Sequence, residues 1–555
     1  MRSPSILVSA LCLILLLGFS IGASAQVNWV PTIISDPNPP TGHFALHIGR
    51  LGDINGDGVP DFVIGDSAVP AQLLLFSGAT RTVFRTIGNP SPPPPNSGDN
   101  FGEVIAVLGD VDLDGVPDIL TSDFFNETVN GNPGQGQVYL FSGATGSLLR
   151  TLNDPEPQID AGFGSELASA GDLTGDGIPD VLVGAYLQNS AQGSQQGAVF
   201  VFNGATGSLL LTLNNPDPPE FEPSFSAGLV SAGDINGDTI PDIAVGAPGT
   251  NDSKGRVFIF SGTNGVLLRT LNNPSPPNLG FGNFGQAVAS ADIDGDGVPD
   301  LLIGASGNDP DGQVFIFSGA TGSLLRPISN PLPQNDIGSL FGVSLGFMDD
   351  VSGDGVPDVL VGAPSVQVNG KTHGRVYVFN GASGTLLATL ENPTTPTVSS
   401  GFGRAVNSIG DVNSDGISDV VVGTGLLDVA FLFLSNRAPV CTSPVAVPTV
   451  VWPPNNQFQR IGIVGVTDSD GDPLTISATS IFQDEPVNGE PDAVLSPLAV
   501  RAERGGSGDG RVYHINFTVT DDKGGSCTGS VRVGVPHDQG NVPIDGGPLF
   551  NSLAP

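Results

Sequence analysis

Basic residues are scarce in this chain: 19 lysines and arginines stand against 56 aspartates and glutamates among 555 residues, a formal net charge of −37. An acidic, lysine-poor surface argues against nucleic acid and anionic membranes as partners, and it asks for a counter-ion. Cysteine is almost absent, with three in all. That excludes a disulfide-dense scaffold and cysteine-ligated zinc clusters. The five histidines, His43, His47, His373, His514 and His537, are scattered and form no HExxH zinc signature. Helical periodicity is missing almost everywhere. Beyond the N-terminus no run is apolar enough to cross a bilayer, which takes about 20 residues.

The first 25 residues read as a secretory signal peptide. Arg2 supplies a basic start, "ILVSALCLILLLGF" an apolar core, and "ASA" (Ala23 to Ala25) a cleavage site. The mature chain is then expected to start at Gln26 and to be exported and soluble. Cys12 leaves with the signal, so Cys441 and Cys527 are expected to form one disulfide.

What the chain has in plenty is glycine, 78 residues, and proline, 48. Much of it is organised around one nine-residue stretch that recurs seven times. It reads "DINGDGVPD" at Asp53, "DVDLDGVPD" at Asp110, "DLTGDGIPD" at Asp172, "DINGDTIPD" at Asp234, "DIDGDGVPD" at Asp292, "DVSGDGVPD" at Asp350 and "DVNSDGISD" at Asp411. Successive starts lie 57, 62, 62, 58, 58 and 61 residues apart. A short alternating run precedes each stretch, and an apolar run such as "VLVGA" or "LLIGA" follows. A variable loop then leads, in most copies, to "GQVYLFSGATGSLLRTL" or a relative of it. These runs signal four strands per repeat, with "SGATG" as a hairpin turn.

Seven four-stranded units of about 60 residues predict an all-β fold, a seven-bladed β-propeller over residues 26–435. Repeat seven stops at "DVAFLFLSN" without a fourth strand. The segment Val27 to Ile34 has the pattern of the missing one and is expected to complete blade seven from the N-terminus.

In the loop frame, positions 1, 3, 5 and 9 carry oxygen-bearing side chains, and position 7 can offer a backbone carbonyl. The sets are Asp53, Asn55, Asp57, Asp61; Asp110, Asp112, Asp114, Asp118; Asp172, Thr174, Asp176, Asp180; and Asp234, Asn236, Asp238, Asp242. The remaining three are Asp292, Asp294, Asp296, Asp300; Asp350, Ser352, Asp354, Asp358; and Asp411, Asn413, Asp415, Asp419. Hard oxygens on alternating residues of a tight turn suit Ca²⁺, which takes 6–8 of them; Mg²⁺ wants fewer protein ligands and zinc wants His or Cys. Asp-Gly turns alone explain one such copy, not seven in register. Up to seven structural Ca²⁺ ions are therefore expected. The loops at Asp110 and Asp292, with four carboxylates each, should bind tightest. Those with Thr239 in place of glycine and Ser418 in place of proline should bind weakest.

"FG" before the first strand (Phe101-Gly102, Phe163-Gly164, Phe341-Gly342, Phe402-Gly403), the acidic loop, and "VGAP" (Val245 to Pro248, Val361 to Pro364) together resemble FG-GAP repeats, those of the integrin α-chain propeller. The resemblance covers about 410 residues. It implies that the loops join the first and second strands of each blade and hold Ca²⁺ on one face of the ring. This chain departs from the pattern at "HFAL" in repeat one, "FSAG" in repeat four and the missing "GAP" of repeat two. It carries no inserted adhesion domain, so integrin-type ligand recognition does not transfer.

By strand parity the variable loops after strand two lie on the opposite face. Phe124, Phe125, Tyr186, Lys371 and His373 are the ligand-face candidates there, against the alternative that each is an ordinary solvated loop residue. Residues 436–535 turn to other strand-like runs, similar to the Ig-like and cadherin-like modules of secreted bacterial proteins, a β-sandwich tied by the disulfide. Asp468, Asp470 and Asp472 there fit either an eighth Ca²⁺ or plain turn chemistry. Residues 536–555 are expected to be disordered.

Three readings remain: an extracellular binding or adhesion module for a protein or glycan, a structural spacer, and a propeller enzyme. The last lacks a catalytic constellation, since its GxSxG match, "GVSLG" (Gly342 to Gly346), falls inside a first strand rather than at a strand-to-helix elbow.

Overall fold

The computed structural model describes residues 27–37, 43–68, 70–92, 99–124, 134–190, 193, 195–217, 224–277, 281–308, 311–331, 338–395, 399–487, 489–506 and 509–554. Residues 1–26, which include the expected signal peptide, and Phe125 lie outside the described residues, as do parts of the proline-rich connectors. Strands dominate, and no described helix is long and apolar enough to cross a membrane.

Seven four-stranded antiparallel sheets follow one another along the chain. In blade one the strands are Phe44–Gly52, Asp61–Asp66, Gln72–Phe76 and Val83–Gly88, from the inside of the ring outward. Blades two to six repeat that order. Blade seven takes Ala405–Gly410, Asp419–Gly423 and Val429–Arg437 from its own repeat, and its fourth strand is Val27–Ser35. That strand pairs in unbroken register with the third, Val27 opposite Arg437 and Ser35 opposite Val429. The innermost strands contact their neighbours in order round the ring, and that of blade seven returns to that of blade one. The fold is a seven-bladed β-propeller.

Burial follows the strand sequences. The second strands, such as Asp300–Ala305 (DLLIGA), are buried along their whole length because neighbouring blades cover both faces. The outer strands, such as Leu324–Ser329, are mostly exposed or half-buried, with Ile328 alone buried in that one. A phenylalanine at or just ahead of the start of the first strand wedges between two aromatic rings of the third. Phe101 lies 6.0 Å from Tyr139 and 6.1 Å from Phe141, and Phe284 lies 6.0 Å from both Phe315 and Phe317. The edge-on geometry of several of these pairs suits the ring quadrupole.

The FG glycine has a backbone reason. Its φ is +85° at Gly102, +94° at Gly164 and +91° at Gly403, a region closed to most side chains. Its carbonyl meets a glycine on the second strand of the preceding blade. A Cβ on Gly65 would stand 1.8 Å from the Gly102 oxygen, and one on Gly304 2.1 Å from the Gly342 oxygen. The departures have local solutions. Repeat two puts Ser122 at the glycine position, and its hydroxyl donates to the Gly164 carbonyl at 2.7 Å. Repeats one and four put Ala45 and Ser226 at positive φ, +61° and +89°.

After Arg437 the chain forms a second β unit. The hairpin Gly510–Thr520 with Ser526–Pro536 is joined by Thr475–Gln483. Alternate residues Tyr513, Ile515, Phe517 and Val519 face Val531, Val533 and Val535 in one core. Arg511 is fully buried there, paired with Asp492 at 2.7 Å and Glu485 at 3.2 Å. Cys441 and Cys527 form a disulfide with a sequence separation of 86. The unit is wired to the propeller: Asn436 donates to Asp521 and the Arg437 amide to Asp470.

The expectation of a disordered tail is corrected. Phe550–Asn551 adds a strand to Phe482 and Gln483, Leu553 packs on the core, and Asp545 bonds His514 and Arg532. Glycine and proline in that tail shape turns between anchored residues rather than abolishing order.

Candidate metal loops and the opposite mouth

Each acidic loop joins the first strand of a blade to the second and is held by its own carboxylates. In blade five, Asp292 accepts the amides of Gly295 and Gly297 at 2.8 and 3.0 Å, and Asp296 accepts that of Val298 at 2.8 Å. Asp300 accepts three amides: Ile293 and Asp294 on one oxygen and Gly319 on the other, all at 3.0 Å. Gly319 belongs to the "SGATG" hairpin, so loop and hairpin share one face of the ring, as strand parity required.

The position-9 bonds recur in every blade. Asp61 reaches Gly78, Asp118 Gly143, Asp180 Gly204, Asp242 Gly262, Asp358 Gly381 and Asp419 the Ser435 amide. Loop composition had suggested only cation ligands here. The structure makes these buried aspartates clamps on the hairpin as well.

Among the described residues, two loops gather carboxylates closely enough to hold a metal ion. Oxygens of Asp110, Asp112 and Asp118, and of Asp292, Asp294 and Asp300, lie within 4.8 Å of one another. They are the two loops with four carboxylates. Asp114 and Asp296 stand outside these groups, each with an oxygen on the amide two residues ahead. The other loops replace the third-position acid by Asn55, Thr174, Asn236, Ser352 or Asn413. There Asn55 bonds Asp61, and Asn236 bonds Asp242, both at 3.0 Å.

Electrostatics divide the frame. Burial pushes the carboxyls of Asp61, Asp118, Asp180, Asp242, Asp300 and Asp358 up, and Asp419 to about 7. Amide and hydroxyl donors hold exposed Asp57, Asp176 and Asp238 down; the largest effects come from Val59, Ile178 and Thr263 in turn. For Asp350 burial pulls upward, but the amides of Gly355, Asp354 and Gly353 outweigh it and its pKa falls. Bound cations would reverse the rises.

Backbone cost is uneven. Thr239 sits at φ +73° where other loops have glycine. Position four is left-handed too, and its occupants Leu113 (φ +63°) and Ser414 (+66°) carry strain the sequence reading missed. Asp415 of the seventh loop is buried and bonded by Ser435, and burial raises its carboxyl. Among the C-terminal acids, Asp468 accepts the Asp470 amide at 2.9 Å. Burial first, then neighbouring acids, raises Asp468 and Asp472.

On the opposite face the structure separates the ligand-face candidates. Phe124 and Tyr186 line a cavity of about 700 Å³ at the mouth of the central channel. Lys371 is exposed on a small hairpin, Gln367–Val368 with Lys371–Thr372, away from it. His373 is corrected: it is 5% exposed, tucked under blade six, with its carbonyl bonded by Asn392 and Ser400. The cavity also collects residues that sequence reading passed over: Ser165, Glu166, Ser226, Asn283, Gln286 and Arg404. The available signal was a charged or polar residue just after the "FG" pair, where small or apolar residues would suffice.

Comparison with known proteins agrees with this architecture. An FG-GAP-like repeat model matches residues 53–121 and 234–303, and an FG-GAP repeat model matches 163–202 and 341–379. Integrin alpha-4 of Xenopus laevis is 27% identical over 271 residues, 46% of this chain and 25% of that one. Integrin alpha-5 of the same species is 31% identical over 267 residues, 44% and 24% of the two chains. Human integrin alpha-7 is 38% identical over 155 residues, 27% of this chain and 12% of its own. The chain thus spans a quarter or less of these relatives' length. It carries FG-GAP repeats folded into a β-propeller, and over part of its length it is similar to integrin α-chains.

Proposed function

We propose that the protein is an exported binding or adhesion module for an extracellular protein or glycan, with Ca²⁺ in the acidic loops as a structural ion. The observation that carries this reading is the division of the ring into two chemically different faces. One face repeats an amide-lined carboxylate loop seven times and packs each loop on its neighbouring hairpin. The other gathers aromatic, amide, hydroxyl and charged side chains around a single recess. The loop oxygens are hard and closely set, which favours Ca²⁺ over softer-ligand metals. On this reading residues 1–25 direct export, and residues 436–535 are an Ig-like module that extends the propeller.

The reading is non-catalytic. Ser344 of "GVSLG" donates to the Gly403 carbonyl at 2.8 Å and serves a blade contact, which suits a structural role. The spacer reading draws some support from the bonds of Asn436 and Arg437 to the C-terminal unit, which stiffen the junction.

The test is binding of the purified mature protein to a glycan array and a matrix-protein panel, with Ca²⁺ and with a chelator. Specific hits lost on chelation support the proposal. A blank in both conditions, with a folded protein, turns the account to the spacer.

A further inference from the structure

The geometry points to the mouth of the central channel as a binding site for an acidic sugar, with Arg404 taking the carboxylate and the surrounding hydroxyl and amide groups taking the sugar hydroxyls. This deepens the binding reading above and rests on it.

Four observations carry it. First, the recess, about 700 Å³, falls within the roughly 300–1,000 Å³ of small-molecule sites. Second, it holds polar groups without partners. Ser226 is fully buried, and its hydroxyl has no hydrogen bond among the described residues; the buried hydroxyl of Ser165 is in the same state. A buried unpaired hydroxyl is costly unless something bonds it.

Third, Ser226 stands where five of the other blades have the FG glycine, and its φ of +89° is a conformation that suits glycine. The fold keeps a strained, unsatisfied serine where glycine would fit without cost, and such retained strain points to a function. Fourth, Arg404 is a cation in a protein with few of them. Its guanidinium has no ion-pair or hydrogen-bond partner among the described residues, while its stem rests beside Gly425. An unpaired arginine ringed by hydroxyls, Asn283 and Gln286, with Phe124 and Tyr186 at the rim, matches a carboxylate on a polyhydroxylated ring.

The titratable groups lining the recess are Glu166, Arg404 and Tyr186, and Glu103 and His47 line the adjoining cavity. Burial in the narrow bore raises the Glu166 carboxyl to about 8. Burial first, then the charge of Arg404, lowers His47 to about 4. At neutral pH the recess therefore presents Arg404 beside an uncharged Glu166, with an uncharged His47 in the adjoining cavity. Above pH 8 Glu166 ionises and repels the ligand's carboxylate, so affinity falls.

The experiment titrates D-glucuronate, D-glucose and acetate into the full mature protein in Ca²⁺, by saturation-transfer NMR and calorimetry. Glucuronate should bind saturably, with glucose and acetate each weaker by at least about tenfold, one charged hydrogen bond's worth. Arg404→Gln should weaken glucuronate by about the same factor without changing the melting temperature, since the side chain is exposed and unpaired. Ser226→Gly should raise the melting temperature and lower the affinity. Wild-type affinity should drop between about pH 6 and about pH 9, and Glu166→Gln should abolish that drop. No binding of glucuronate to the folded protein, or equal binding by Arg404→Gln, overturns the site. Array hits in that case leave the wider binding reading standing; a blank array removes both.

Discussion

Gly65 lies against the Gly102 carbonyl so closely that no side chain fits between blades one and two. Gly65→Ala places a methyl 1.8 Å from that oxygen, which only a backbone shift can relieve. The expected loss is about 3 kcal/mol or more, read as a lower urea midpoint at unchanged slope. A residue with the opposite logic is Asp300, whose two oxygens accept three amides inside the ring. Asp300→Ala strands those donors at about 1–3 kcal/mol for each buried one, with or without a cation present. Asp292→Asn keeps the shape and removes charge on an exposed loop, so its effect should appear in Ca²⁺ and shrink in a chelator. Urea melts of both variants in the two conditions separate the clamp from the ligand. These assignments were half legible in the sequence. Alternating oxygens mark the loop, whereas one of the amides that position nine binds comes from a hairpin, Gly319 for Asp300, outside the loop.

At the scale of the element, the N-terminal strand is the critical one. Val27–Ser35 pairs along its whole length with Val429–Arg437, buries Ile34 and packs Trp29 against the blade-seven core. Removing residues 27–35 should cost at least about 3 kcal/mol from burial of Ile34 and the lost ladder. The melting temperature of the truncated protein checks this; an unchanged value would mean that the ring does not depend on its clasp. The clasp could be read from sequence because repeat seven is one strand short and an unmatched strand, Val27–Ser35, precedes repeat one. The tail strand Phe550–Asn551 could not, because its order comes from contacts with Phe482 and Gln483 made across the C-terminal unit rather than from local pattern. The channel mouth was hidden for a similar reason. Glu166, Ser226, Gln286 and Arg404 are single residues in separate repeats, and only ring closure brings them together.

The whole molecule is a ring with a covalently braced appendage. The Cys441–Cys527 bond closes a long loop in the C-terminal unit, and in the chain-entropy model it stabilises that unit by about 4–5 kcal/mol. Reduction should therefore lower the unfolding transition of that unit and leave the propeller's transition in place, a split visible by scanning calorimetry. A single transition shifting as a whole would mean that the bonds of Asn436 and Arg437 couple the two units into one cooperative body. Across the whole chain the formal charge is −37, and the propeller's loops, dense in carboxylate, leave folding open to a cation's help. A site held about 100-fold above its dissociation constant adds roughly 2.7 kcal/mol, and several sites add together.

Thermal unfolding of the protein from Gln26 onward in Ca²⁺, in Mg²⁺ and in a chelator tests this most directly. The account predicts a propeller transition that rises with Ca²⁺, rises less with Mg²⁺, and loses part of the gain in Asp292→Asn. A transition at the same temperature in all three conditions would contradict the metal-braced ring.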